Sequence, residues 1–591
     1  MKLRSEINDE FKWDLSSYIS NETEIEETFC IMEKLIKVLP SYSGKLNNKE
    51  ILLERFTKYE QDEIKIYKLA HYISHNLNTD SSNTQMLALE QKFDNLYSKM
   101  SEANAFFMPQ MYDLSDDYLN SLLSDIRFKN YENTIKDIIK LKPHRLDEKT
   151  STLLAKMGCF LGNNSNLHSI LTDSEMYFDD ALDSDGKKHK VDNATAPVYL
   201  RSNDKILRKT TFNSRMKAFE KLNKTFADLY IKDIELDKFS YKLRNYNSLL
   251  EQVLLSEDVP LTVFENNIKN VNKAIPILQD YILTQNKLSN NKEFAYYDLF
   301  EDVKNDQKIP LEEAHNLVLN ALKPIGEEYV NLVKNKLTDK SIDYLPNANK
   351  NSGAYCSNCY GAKTLILMNY NNDFNSVSTL IHEMGHCINA EYFNMAQPRE
   401  KAEISIFAAE IASTTNEILL NLLMQKQSND IDKAYYIRTL LDDIRSTIFR
   451  QTLFCEFELF AHESIDKEIP LTYEDLNNKY QELNEKYYGN SCILPEGLKY
   501  EWERIPHFYN AYYVYSYSTG MITAITLAYK LLNEKDFHKK YIEFLKNGTN
   551  KPAVEILKKI GVDLTTDTPF KTAFNFMREQ LEEYKTLTKN N

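Results

Sequence analysis

Residues 376 to 390 read Ser-Val-Ser-Thr-Leu-Ile-His-Glu-Met-Gly-His-Cys-Ile-Asn-Ala, and residues 404 to 425 form a second stretch of helical character. Both predict helices, joined through Gln397, Pro398 and Arg399, where proline disfavours continuation. On the first helix His382 and His386 lie one turn apart on one face, able to grip a single ion. Glu383 points about a quarter turn away. Its carboxylate can therefore reach a water on that ion without being a ligand, the arrangement general-base hydrolysis needs.

Histidine spacing alone is a weak signal. His71 and His75 are also four apart, with Tyr72 after the first, and are assigned to packing or surface. A catalytic zinc ion usually takes three protein ligands and leaves a fourth position for water. Glu410 is the third candidate: Ala408, Ala409, Ile411 and Ala412 flank it, which puts its acid on or near a buried face where a metal ion offsets the burial. A glutamate facing solvent or a lysine is the competing reading. Glu417, seven residues on, shares nearly the same face and can hydrogen-bond a ligand histidine's other nitrogen; a solvent-facing role competes here as well. Gly385 in mid-helix costs up to about 1 kcal/mol relative to alanine and is explained by close approach of another backbone or of the second helix.

The surrounding chain has 591 residues, with only 13 glycines and 15 prolines, about 2% and 3% against typical usages of about 7% and 5%. So few breakers predict a mostly α-helical protein. With 42% hydrophobic and 27% charged residues, disorder and fibrous classes are excluded. Seventy-two basic against 87 acidic side chains give a net charge of −15, which repels phosphate backbones and anionic lipid. No nucleic acid and no membrane partner are expected. Seven cysteines make no dense disulfide framework, and Met1 to Ser20 lack the apolar stretch of a secretory signal, so a cytoplasmic location is expected. Residues 505 to 529 carry no charge, yet their scattered polar residues and clustered tyrosines read as a polar-lined buried helix by a cavity rather than a membrane span.

Three- and four-residue apolar spacing from Glu22 to about Phe178 predicts successive antiparallel helices. A turn cluster with β-prone pieces at residues 182 to 202 suggests a boundary, giving an N-terminal helical domain at 1–200 and a catalytic domain at 201–591. Gly361 to Tyr370 predicts a strand.

These residues resemble the oligoendopeptidase F branch of the thimet oligopeptidase family of zinc metallopeptidases. The resemblance covers most of the chain: Trp13-Asp-Leu-Ser16, Ser352-Gly-Ala-Tyr355 with Tyr360-Gly361, the His-Glu-x-x-His segment, the region of Glu410, and Arg504-Ile-Pro-His-Phe-Tyr509 leading into Tyr512-Tyr-Val-Tyr515. It implies a large helical zincin-like body with a deep substrate channel and a small β-sheet beside the metal helix. It further implies one Zn2+ per chain on His382, His386 and Glu410, with Glu383 activating water. His507, Tyr512 and Tyr515 would face the substrate, where a phenol or imidazole donor stabilises the charge developing on the carbonyl oxygen. Tyr512 and Tyr515, three apart, would share a helical face, with Tyr509 and Tyr513 as competitors for the register. An extended oligopeptide would pair its backbone with the strand at 361–370, with Gly353 and Gly361 allowing close approach.

Cys356-Ser-Asn-Cys359 and Cys387 depart from the family's small polar residues; incidental replacement and thiol-sensitive activity are the two readings. The expected function is cleavage of internal bonds in short peptides. A dipeptidyl carboxypeptidase or carboxypeptidase on a related scaffold, or a catalytically silent peptide-binding protein, are the rivals. The oligomeric state stays open.

Overall fold

The computed structural model describes residues 1–157, 163–289, 293–302 and 307–589. In chain order the principal elements begin with helices α1 (Glu22–Val38), α2 (Lys49–Thr79) and α3 (Thr84–Asn104), then a hairpin of β1 (Ala181–Leu182) and β2 (Lys188–His189). Helices α4 (Lys205–Leu243) and α5 (Leu261–Leu288) follow, then strands β3 (Ile342–Asp343), β4 (Tyr355–Ser357) and β5 (Leu365–Leu367). Beyond them come α6 (Phe374–Ala396), α7 (Ile411–Gln427), α8 (Arg450–Asp466), α9 (Tyr515–Asn533), α10 (Phe537–Leu545) and α11 (Thr568–Thr588). The chain is mostly α-helical, as its scarcity of breakers predicts.

Two compact units each draw on three stretches. The first takes Met1–Arg145, Asp306–Leu420 and Leu527–Ile560; the second takes Leu146–Asn305, Asn421–Thr526 and Gly561–Asn591. A linear division at residue 200 does not follow these units, because helices remote in sequence share a core and no local shift in composition announces the pairing.

In the first unit α1, α2 and α3 bury Phe29, Met32 and Leu35 against Ile66, Leu69 and Ile73 and against Phe93 and Met100. The three- and four-residue spacing puts each set on one helix face, and each fully buried side chain contributes about 1.5–3 kcal/mol. The three-stranded sheet has the order β3-β5-β4, with β5 parallel to β3 and antiparallel to β4, where Cys356 opposes Ile366. The predicted strand at 361–370 is thus real but shorter, and central. Both its edges are taken, so a peptide cannot pair with it; the outer edges of this sheet belong to β3 and β4.

The N-terminal segment pins the sheet from below. Asp343 accepts hydrogen bonds from Arg4, from the Trp13 N–H at 3.4 Å and from the fully buried Lys350 at 2.7 Å. Trp13 and Tyr18 pack with Cys359, Leu365 and Leu367. Helix α10 packs on α6, and the chain beyond it returns to the connection after α6, where the Thr549 N–H donates to the Lys401 carbonyl at 3.0 Å.

In the second unit the turn cluster near residue 185 forms the β1–β2 hairpin, with Ala181 opposite His189. The following piece, read as β-prone, is instead a helical turn, Thr195–Leu200. Pro197 lies in its first turn, where no N–H bond is lost. The charge-free segment 505–529 divides into a short 3-10 turn (Pro506–Tyr509), an irregular stretch, and the start of α9 at Tyr515. No described helix is long and apolar enough to cross a membrane.

Candidate metal centre

Helix α6 starts where the Asp373 side chain accepts the Ser376 N–H at 2.8 Å, and it ends at Ala396, before Gln397 turns extended ahead of Pro398. This frames the two histidines in its middle. Glu410 differs from its expected place inside a helix beginning at Ile404. A 3-10 turn (Ile406–Ala408) comes first, and Glu410 sits in the turn that opens α7, its carbonyl accepting the Thr414 N–H at 3.1 Å. Its carboxylate is fixed by the Ser413 hydroxyl, which donates to Oε2 at 3.1 Å.

The three candidate ligand atoms converge. His382 Nε2 lies 3.3 Å from Glu410 Oε2, His386 Nε2 lies 3.4 Å from the same oxygen, and the two Nε2 atoms are 3.2 Å apart. These three are the described His/Cys/Asp/Glu side chains that cluster closely enough to hold a metal ion. Tetrahedral zinc with bonds of about 2.0–2.1 Å spaces its ligand atoms about 3.3–3.4 Å apart, so this donor set fits the ion. Gly385 makes the convergence possible, since a Cβ there would meet the Ser413 nitrogen at 2.8 Å and the Ala412 oxygen at 2.9 Å. Asn416, unremarked in the sequence, locks the same helix pair: its amide donates to the Ile381 carbonyl at 3.3 Å and to the Tyr329 hydroxyl at 3.0 Å.

Glu417 faces the site, with its Oε2 3.1 Å from His382 Nδ1 and its Oε1 accepting the Ser378 hydroxyl at 3.3 Å. A carboxylate on Nδ1 holds the proton there, so the proton a metal would displace is the one on Nε2. Burial pulls the His382 ring down, but hydrogen bonds to Glu410 and Glu417 outweigh it and raise the ring to about 10. Burial likewise raises Glu410, yet its bonds to the two histidines hold its carboxyl well below the usual carboxylate range. Glu383, 8% exposed, is shifted upward by burial.

A cavity of about 560 Å³ opens beside these groups, lined by Ala354 and Cys356 at β4 and by His382, Glu383, His386 and Glu410. His71, half-buried, and His75, buried, brace β4: His71 Nδ1 lies 3.1 Å from the Ser357 hydroxyl and His75 Nδ1 3.3 Å from the Tyr355 hydroxyl. Cys356 and Cys359 do not act as a pair. The Cys356 thiol is pushed up by its neighbour Cys387, whereas Cys359 packs with Trp13 and Tyr18. Gly353 (φ +85°) stands in open space before β4. Gly361 (φ +80°) faces α2, where a Cβ would lie 3.6 Å from Lys68.

His507 and the tyrosines belong to the second unit, and their register differs from expectation. Tyr512 precedes α9 in a left-handed conformation, φ +58°, so Tyr512 and Tyr515 share no helical face. Both are buried, at 3% and 2% exposure. The Tyr512 ring packs on His462 (5.0 Å between centroids) and on Phe264, and Tyr515 packs on Phe264 at 5.5 Å. Tyr509 packs on His168 at 4.8 Å. The half-exposed group is His507 with Tyr513 and Tyr517: the Tyr517 hydroxyl is 3.4 Å from His507 Nε2, and the Tyr513 ring lies parallel to the imidazole at 6.4 Å. Burial, then Arg504, lowers the His507 ring below its ordinary value. A continuous helix through 505–529 does not predict the pairing of Tyr517 with His507, which depends on the irregular stretch before α9.

Comparison with known proteins is consistent along the chain. The model of peptidase family M3 matches residues 198–576, and that of oligopeptidase F matches residues 111–178. The oligopeptidase PepF of Bacillus subtilis is 34% identical over 99% of this chain and 88% of its own length. A solved structure from Chlamydophila abortus superposes with a TM-score of 0.94 at 32% identity, covering 99% of this chain and 100% of that one. Oligoendopeptidase-F from Enterococcus faecium gives a TM-score of 0.73 at 30% identity, over 96% and 100%.

Proposed function

The chain belongs to peptidase family M3, and we propose that it is a zinc endopeptidase cutting internal bonds of short peptides. The observation that carries the reading is the triangle of His382, His386 and Glu410, whose edges of 3.2, 3.3 and 3.4 Å suit a tetrahedral ion. When bound, zinc supplies a Lewis acid that polarises the scissile carbonyl and acidifies water. Glu383 takes the proton of the attacking water and passes it to the leaving amine; burial makes its carboxylate a stronger base, which suits that shuttle. Glu417 orients His382 through Nδ1.

For the oxyanion donors implied by the resemblance we favour His507 with Tyr513 and Tyr517, which are half-exposed together, over Tyr512 and Tyr515, which are enclosed. Tyr509 is left to packing. The outer edge of β4, with Gly353 before it, takes over the backbone pairing first given to the 361–370 strand. For the catalytic part we propose residues 201–591, supported by the M3 match over residues 198–576, while the compact units draw on both sides of residue 200.

Incubation with a mixed peptide pool, with and without chelator, tests the reading by mass spectrometry of the products. Internal cuts that vanish on chelation and return with zinc are expected. A ladder shortened from the C-terminus, or cutting indifferent to chelator, overturns it.

A further inference from the structure

The turn between His507 and α9 rests on a buried acid that the reaction itself does not use. Glu458 of α8 is fully buried, and its Oε1 accepts the backbone N–H of Tyr512 at 3.1 Å. Its Oε2 and the Nε2 of His462, one turn further along α8, are buried without a hydrogen-bond partner among the described residues. The His462 ring lies against the Tyr512 ring. A carboxyl group is an expensive way to fill core space, since an apolar side chain of the same length desolvates nothing. What the carboxyl adds is an acceptor for one N–H in a stretch that is neither helix nor strand, and which would otherwise be buried unpaired. That N–H belongs to Tyr512, whose left-handed φ of +58° is a conformation that residues with a Cβ rarely hold unaided.

We propose that Glu458 is a positioning residue for peptide hydrolysis: by clamping the Tyr512 backbone it holds the left-handed turn that sets Tyr513 and Tyr517 around His507. The inference rests on the assignment of those three side chains to the substrate. Without the clamp, residue 512 relaxes towards right-handed geometry and the Tyr513 ring, next in the chain, swings away from the imidazole.

The test uses full-length, zinc-loaded enzyme. Glu458→Gln keeps an acceptor and the side-chain length and is expected to retain kcat within about two-fold. Glu458→Met keeps length but accepts nothing. Glu458→Asp, a milder change that withdraws the acceptor by one methylene, covers the case in which the Met variant does not fold. Both are expected to lose ten-fold or more in kcat with KM within two-fold and zinc content unchanged. A merely structural role would instead lower melting temperature and active fraction while leaving kcat per folded molecule alone. Full kcat in the Asp and Met variants overturns the proposal, as does a loss in Gln equal to that in Met. Tyr513→Phe and His507→Ala form the control arm: if both turn over peptide at the wild-type rate, the assignment beneath the proposal fails separately.

Discussion

Gly385 of α6 and Ser413 of α7 meet backbone to backbone, so closely that a Cβ on Gly385 would stand 2.5 Å from the Ser413 Cα. Real Cβ atoms do not sit at that distance from a main chain. The contact sets the spacing of the two helices and therefore the distance from Glu410 to both imidazoles. Gly385→Ala is expected to push the helices apart, lowering stability by about 1–3 kcal/mol in thermal unfolding and weakening zinc retention in the same preparation. A variant with native melting temperature and zinc content would contradict the account.

Glu383 is adjacent to a ligand histidine without being one of the converging atoms. Glu383→Gln is expected to bind zinc stoichiometrically while kcat falls by about 10²–10⁴-fold, the usual contribution of a general base. Metal analysis alongside steady-state rates on one internally cleaved peptide separates the two effects.

Glu417 touches the metal centre only through His382 Nδ1, at 3.1 Å. Its replacement by alanine frees the ring to rotate or change tautomer, and the expected result is zinc binding weaker by about 10–100-fold. Competition against a chelator of known affinity measures it. The fold should survive, since the side chain is part-exposed.

Glu501 gives the second unit an acid-labile node. It is 2% exposed and accepts hydrogen bonds from Arg450 at 2.8 Å, Tyr480 at 2.8 Å and Arg504 at 3.1 Å. Burial pushes its carboxyl up, but the two guanidiniums and the phenol pull harder and bring it down to about 2. A depressed folded-state pKa means that this stabilisation is complete above the unfolded value of about 4.3 and is lost as pH falls from there towards 2. Melting temperature should therefore drop between pH 5 and pH 3 more steeply in the wild type than in Glu501→Gln. At neutral pH that variant should itself be less stable by about 3–5 kcal/mol, because it leaves Arg450 buried without its counter-charge.

Much of the site was legible because it is local. The face shared by His382 and His386, the offset of Glu383, the second helix brought close at Gly385 and the reach of Glu417 all follow from 3.6 residues per turn and from the scarcity of glycine. What escaped depends on partners far away in sequence. The strand expected at 361–370 is present over 365–367, but its central place depends on β3 and β4, which pair with it across the sheet. Tyr512 gave no sign of a left-handed turn, since an aromatic residue is not chosen for that conformation and the acceptor holding it lies on another helix, at Glu458. Glu410 sits in a turn because Ser405 and the 3-10 residues after it interrupt a stretch whose composition reads as helical throughout.

The first unit joins stretches from opposite parts of the chain: Arg145 closes one of them, and Ile560 closes another. On the ribosome, at about 5–20 residues per second, those two positions emerge roughly 20–80 s apart. Helix α6 ends at Ala396 and α10 begins at Phe537, so for roughly 7–28 s of that interval α6 is made but lacks α10, and the Lys401 carbonyl lacks the Thr549 N–H. The connection that leads from α6 to Glu410 therefore gains its Thr549 partner only late in synthesis.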